Sequence, residues 1–215
     1  MIKRWQNVFK ILRDMYPHAR CELDYVTPFE LLIATILSAQ CTDQRVNMIT
    51  PQLFARFRRP EDYLSVSQEE LEGLIRTCGL YRNKARSILL CSQALVHGFG
   101  GEVPRDMASL QSLPGVGRKT AAVVASNAFG IPALAVDTHV FRVARRIGMS
   151  RGGTPERVEA DVCAIYPQEK WIDLHHLLIW HGRRLCHARN PRCTECPLQT
   201  FCDRGRRVPG EEVPN

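Results

Sequence analysis

Four cysteines near the C-terminus, Cys186, Cys193, Cys196 and Cys202, are set in the pattern C-x6-C-x2-C-x5-C. Four thiolates within seventeen residues can close a shell around a metal centre. The tight Cys193–Cys196 pair aims two sulfurs at one point, and the longer spacers make turns. Pro191 and Pro197 flank that pair and stiffen it, because proline fixes its own φ. Two disulfides, or four unrelated thiols, are the poorer readings. The chain opens on an amphipathic pattern (Trp5, Val8, Phe9, Leu12) and not on the continuous apolar stretch of a secretion signal, so nine cysteines point to the reducing cytoplasm. The spacing alone does not separate zinc from a [4Fe-4S] cluster. The other five cysteines (Cys21, Cys41, Cys78, Cys91, Cys163) read as small buried hydrophobes.

A second constellation centres on a lysine. Positive charge is carried mainly by arginine, 24 residues against five lysines (Lys3, Lys10, Lys84, Lys119, Lys170), so a lysine in a special place asks for a reason. Lys119 ends the run Leu113-Pro114-Gly115-Val116-Gly117-Arg118-Lys119, in which two glycines bracket one apolar residue before a helix start. Glycine permits positive φ and leaves no side chain in the way. The N–H groups can then point outward together, and the helix N-terminus adds partial positive charge, which makes a seat for phosphate. The strands that a Walker loop or a dinucleotide fingerprint needs are missing. With Arg118 and Lys119 beside the turn, and a net charge of +7 at a pI of about 9.1, the anion is best read as a nucleic-acid backbone.

The elements that must position these residues are helical almost throughout. Thr27-Pro28-Phe29-Glu30 is a capping box that opens an apolar helix over Phe29–Leu37, the buried centre of a bundle. Asp43 is expected to cap the next helix, and Pro51 to bend or end it. Ser67 and Glu70 form a second capping box, followed by a face of Leu71, Leu74, Ile75 and Cys78 that stops at Gly79. Helices are expected over 82–97, 106–112 and 118–129. Asp137 caps a further one whose inner face is Val140, Val143, Ala144 and Ile147, and two more follow near 155–166 and 171–181. Alternating strand patterns are scarce, so the fold is all-α. No apolar run reaches the length of a membrane span, and only the tail after Cys202 looks loose. Two tight glycine turns between helices, Gly79-Leu80-Tyr81 and Gly115-Val116-Gly117, both present backbone to a ligand.

Taken together, Leu-Pro-Gly-Val-Gly-Arg-Lys-Thr-Ala at 113–121, Val-Asp-Thr-His-Val with its aspartate eighteen residues after Lys119, Leu-Ser-Ala-Gln at 37–40, Gly-Leu-Tyr at 79–81 and the four-cysteine tail resemble the endonuclease III family of DNA glycosylases. That family belongs to the helix-hairpin-helix glycosylase superfamily, and the likeness covers essentially the whole chain. It implies two helical lobes. Residues 21–130 would form a six-helix barrel-like lobe with the hairpin; residues 1–20 and 131–215 would form a cluster lobe, with DNA in the groove between. It implies a [4Fe-4S] cluster on the four cysteines. It implies a bifunctional enzyme of base excision repair, acting as a cytoplasmic monomer (nucleoid-associated when bound to DNA) on double-stranded DNA that contains damaged bases or abasic sites.

The chemistry fits the residue types. An amine attacking C1′ displaces an oxidised pyrimidine and leaves a Schiff base, whose iminium acidifies C2′; β-elimination then cuts 3′ to the lesion. Lysine suits this role because arginine stays protonated. Lys119, which the resemblance makes the nucleophile, must be uncharged to attack, and a helix N-terminus, Arg118 or burial could lower its pKa. The resemblance also assigns Asp137 a catalytic role, compatible with its place as a helix cap: a carboxylate near C1′ stabilises oxocarbenium character and relays protons. Flipping the base leaves a gap, for which the resemblance implies Gln40 as plug and Leu80 as wedge; it also suggests Asp43 for the base pocket. Gly115, Val116, Gly117 and Arg118 are expected on the DNA backbone, with His139, and with Arg189 among the cations of the cluster loop.

Relatives with other substrates are distinguished by position. The adenine-mismatch branch places a glutamate near Thr35, lacks the lysine and carries a second domain, for which thirteen residues after Cys202 leave no room. A thymine/uracil-mismatch glycosylase differs only in pocket residues. Cys41 stands where alanine is familiar. From other classes, the alternatives are a non-catalytic cluster-containing DNA-binding module and a zinc-stabilised adaptor.

Overall fold

The computed structural model describes residues 2–207, which form ten α-helices joined by short 3-10 turns, with no strand among them. The chain divides into two compact units: residues 21–133 form one, and residues 1–20 with 134–215 the other.

In the contiguous unit, α2 (Pro28–Leu37) begins at Thr27. Its hydroxyl accepts from the Glu30 N–H at 3.1 Å, and the Glu30 carboxylate accepts from the Thr27 N–H at 3.3 Å. Such a reciprocal cap contributes about 1 kcal/mol. Every residue from Leu31 to Leu37 is buried, so α2 needs partners all round. It packs against α3 (Asp43–Arg56), α5 (Tyr81–Phe99) and α7 (Arg118–Phe129). The unit is completed by α4 (Gln68–Ile75), the 3-10 turn Arg76–Cys78 and α6 (Met107–Ser112).

Several local expectations are corrected here. Thr42, not Asp43, caps α3, its hydroxyl accepting from Arg45 N–H at 3.3 Å; Asp43 is the first helical residue, where its charge suits the helix dipole. The helix runs through Pro51 to Arg56, since Val46, Thr50 and Leu53 bury their side chains on both sides of it and outweigh one lost hydrogen bond. Ser67 caps α4, but the Glu70 carboxylate pairs with Arg56 in place of completing a box. Leu74 is 37% exposed, off the face made by Leu71, Ile75 and Cys78. Among the five cysteines outside the tail, only Cys78 and Cys91 are fully buried.

The split unit consists of α1 (Ile2–Met15), α8 (Thr138–Ile147), α9 (Pro155–Ile165) and α10 (Trp171–Arg184) around Val8, Leu12, Val140, Val143, Leu174 and Leu178. Gly182 lets α10 approach α8 closely: a Cβ there would lie 3.0 Å from the His139 Cβ. Arg4 donates to the Phe201 carbonyl (2.6 Å), the Ile147 carbonyl (2.7 Å) and the Asp203 carboxylate (2.7 Å). The chain after Cys202 is accordingly not loose as far as residue 207. The N–H groups of Asp203 and Arg204 bind the Ile147 and Arg146 carbonyls, which end α8 without helical partners. Residues 208–215 lie outside the described residues.

His176 is 6% exposed, and burial, then neighbouring His175, holds its pKa down at about 3. The unfolded chain therefore takes up a proton near pH 6.5 that the folded unit refuses. The resulting stability is full above pH 6.5 and falls as pH drops toward 3. At pH 5 the loss from this residue alone is about 2 kcal/mol. Urea unfolding should show reduced stability from pH 7 to pH 5, and His176→Gln should flatten that dependence.

Candidate nucleic-acid interface and cluster site

The hairpin turn joins α6 to α7. Leu113 and Val116 are buried, and the Val116 N–H binds the Leu113 carbonyl at 3.1 Å. Val116 thus anchors the turn through its side chain and its N–H. The two glycines do different work. Gly115 has φ +79°, and a Cβ on it would lie 2.6 Å from the Ser87 Cβ of α5. Gly117 has an ordinary φ of −83°, and nothing lies within 4 Å of where its Cβ would be. The first is required by the fold; the second leaves bare space in front of the helix. Among the described residues the Gly115 and Gly117 N–H groups have no acceptor and lie at the start of α7, where the helix dipole favours an anion. Arg118 and Lys119 are exposed. Lys119 has no hydrogen-bond or ion-pair partner among the described residues.

Gln40 and Leu80 share a rare backbone state. Among the described residues only Gln40 (φ 52°), Leu80 (φ 48°) and Asn190 (φ 48°) are left-handed without being glycine, a conformation that costs roughly 1–2 kcal/mol per residue. Both Gln40 and Leu80 are exposed, Leu80 at 52%. Leu80 is thus an apolar residue held in a strained conformation and in water, outside the core.

Asp137 caps α8, its carboxylate accepting from the Val140 N–H at 2.7 Å. His139 is half-buried, and its Nδ1 lies 3.1 Å from an Arg142 Nη2. Burial first, then Arg142, lowers its pKa, while Asp137 pulls the other way. A neutral ring that accepts from Arg142 keeps only Nε2–H for a phosphate.

All four tail cysteines line one recess of about 370 Å3, part of it open to solvent. No group of three or more His, Cys, Asp or Glu among the described residues is disposed to share a single ion. Four sulfurs gathered around one recess are a ligand set that a [4Fe-4S] cluster takes. The walls supply donors. Arg146 donates to the Cys186 Sγ at 3.4 Å and to the His187 and Ala188 carbonyls at 2.6 and 2.9 Å; Arg142 donates to the Cys186 carbonyl at 3.2 Å. His181 Nε2 lies 3.8 Å from the Cys196 Sγ, and its Nδ1 lies 3.2 Å from the Tyr16 hydroxyl. A thiolate only accepts, so Nε2 carries the hydrogen and Tyr16 donates to Nδ1. Burial pulls the His181 pKa down to about 4 and pushes the Cys196 thiol up to about 11, so iron must displace a proton there.

These second partners were missed in the sequence. Arg142 and Arg146 stand one helical turn apart on α8, a spacing that could have pointed to them. Two of the nearby cations also have contacts within the protein: Arg184 lies over the Trp180 ring at 3.6 Å, and Arg192 binds the Arg184 carbonyl and Glu195. Arg189 is exposed and has no partner among the described residues.

Residues 33–168 match the family model of the HhH-GPD superfamily base excision DNA repair protein. Residues 186–202 match the iron-sulfur binding domain of endonuclease III. Hairpin, helical units and sulfur site thus define a base-excision repair glycosylase of the helix-hairpin-helix class. The chain is 53% identical over 195 residues to endonuclease III of Bacillus subtilis (strain 168), covering 90% of this chain and 89% of the relative. It is similar to a solved trapped endonuclease III–DNA covalent intermediate, an estranged-adenine complex, with a TM-score of 0.92 at 49% identity over 96% of this chain and 97% of that one. A thermostable thymine-DNA glycosylase gives a TM-score of 0.84 at 25% identity over 96% and 98%. The chain belongs to the endonuclease III family, the DNA glycosylases and AP lyases of base excision repair, and it carries a [4Fe-4S] cluster, whose binding domain the family model sets at residues 186–202.

The two glycines should separate by substitution. Gly115→Ala should lower stability by about 1–3 kcal/mol. Gly117→Ala should leave thermal unfolding unchanged yet weaken binding to an abasic duplex in fluorescence anisotropy.

Proposed function

We propose that the enzyme excises oxidised pyrimidines from duplex DNA, with Lys119 as nucleophile and Asp137 as the carboxylate that assists it. Lys119 Nζ attacks C1′ and forms a C–N bond as the glycosidic bond breaks. Ring opening gives the iminium, a C2′ proton is lost, and the 3′ C–O bond breaks, leaving a cut strand and, after hydrolysis, the free lysine. The observation that carries this reading is an exposed lysine without a partner among the described residues, in the first turn of a helix that opens on bare N–H groups. Those groups bind the phosphate next to the lesion. The sugar then covers the lysine and strips its water, which favours the neutral amine. Asp137, fixed by its cap bond to Val140, offers a carboxylate of set orientation to charge developing on the sugar.

Gln40 and Leu80 fill the space left by the flipped nucleotide, and Arg118, His139 Nε2 and Arg189 contact the backbone. The bound cluster supplies a cross-link between the loops of the cysteine tail. No helix among the described residues is long and apolar enough to cross a membrane, and we assign the enzyme to the cytoplasm as a monomer.

Borohydride reduction on abasic DNA tests the nucleophile. Lys119→Ala should yield no covalent adduct, and an adduct at the unsubstituted rate would transfer the role elsewhere. Asp137→Asn keeps a good helix cap, so DNA binding should persist while excision of thymine glycol falls by about a hundredfold or more. Unchanged turnover would remove Asp137 from the chemistry. A panel that includes mismatched thymine fixes the lesion class.

A further inference from the structure

Lys84 is one of five lysines, and its side chain is buried, with 4% of the residue exposed. An ammonium in such a place is unfavourable unless it is well bonded. Its acceptor is the main-chain carbonyl of Cys78, and no carboxylate pairs with it among the described residues. Cys78 ends the 3-10 turn that follows α4, where carbonyls lack helical donors and carry partial negative charge. The backbone N–H of Lys84 binds the Leu80 carbonyl at 3.1 Å. Lys84 therefore grips the turn at both ends of Gly79–Leu80, the two residues with φ of +53° and +48°.

The Gln40 turn leans on this spot. A Cβ on Gly79 would lie 4.0 Å from the Gln40 carbonyl oxygen. Cys41, next along the chain, faces the Cys78 thiol and lies within electrostatic reach of the Lys84 ammonium. Two strained, exposed tips from different inter-helix turns thus meet over one buried amine.

We propose that Lys84 is a positioning residue that holds Gln40 and Leu80 together in their displayed conformations, so that both enter the gap when the nucleotide leaves the duplex. The inference rests on the reading of Gln40 and Leu80 as gap-filling residues. A left-handed leucine is disfavoured by roughly tenfold in population relative to its ordinary conformations. Without the ammonium, the Cys78 carbonyl is released and the turn relaxes toward those conformations. Lys84 touches neither the sugar nor the base, so single-stranded abasic DNA, which leaves no duplex gap, does not need it.

The test compares borohydride trapping on duplex and single-stranded abasic DNA, using the cluster-loaded full chain. Lys84→Met, nearly isosteric, should slow duplex trapping about tenfold and leave single-stranded trapping within about twofold. Lys84→Gln, too short for the carbonyl, should behave alike and serves if the methionine variant does not fold. Leu80→Ala and Gln40→Ala should show the same duplex-only loss, and Lys84→Met added to Leu80→Ala should slow trapping little further. Duplex trapping unchanged by Lys84→Met while Leu80→Ala is slow overturns the role of Lys84. Equal losses on both substrates, or full additivity in the double variant, do so as well. Unchanged trapping by both alanine variants overturns the gap-filling reading itself.

Discussion

Burial of one almost wholly apolar helix constrains the contiguous unit. Because α2 has no polar face, α3, α5 and α7 must close around it, and their ends are fixed as a result. The chain leaving α2 turns through Gln40, α5 begins after Leu80, and α7 begins at the Gly117 cap before Lys119. The chemically interesting residues sit at helix ends whose axes are set by hydrophobic packing. Strain at those ends is tolerable because the core exceeds it.

The split unit solves a different problem, that of gathering four sulfurs. Cations do this from one side: Arg142 and Arg146 reach from α8 to the carbonyls and sulfur of the first ligand loop. From the other side, Tyr16 fixes the His181 tautomer, which offers an N–H toward Cys196. Hydrogen bonds to sulfur and nearby positive charge are among the levers that set a cluster's reduction potential. The same groups therefore shape the recess and tune what occupies it.

Much of this was legible in the residues. Capping chemistry marked the starts of α2, α4 and α8, and glycine marked the ends of α7 and α8, because these signals are local. The cysteine spacing and the hairpin were legible for the same reason. What escaped was nonlocal. Pro51 reads as a breaker only until the flanking core is known. Glu70 reads as a box residue until Arg56 arrives from fourteen residues away. Val116 looks presentable in sequence, and tertiary packing buries it. Lys84 stood out as a rare residue type, but its meaning required the carbonyl it meets.

The split unit is assembled from both halves of the chain's length, and Arg4 is bonded to residues 147, 201 and 203. During synthesis α1 therefore has no partner for its apolar stripe until α8 and α10 emerge. The intervening stretch of 113 residues, 21–133, has its own core and can fold meanwhile. Cys202, the last of the four tail cysteines, follows α10 in the sequence, so the four sulfurs come together only after α8 and α10 have been made. A chain made as far as residue 133 thus holds the whole hairpin segment while the apolar stripe of α1 is still uncovered.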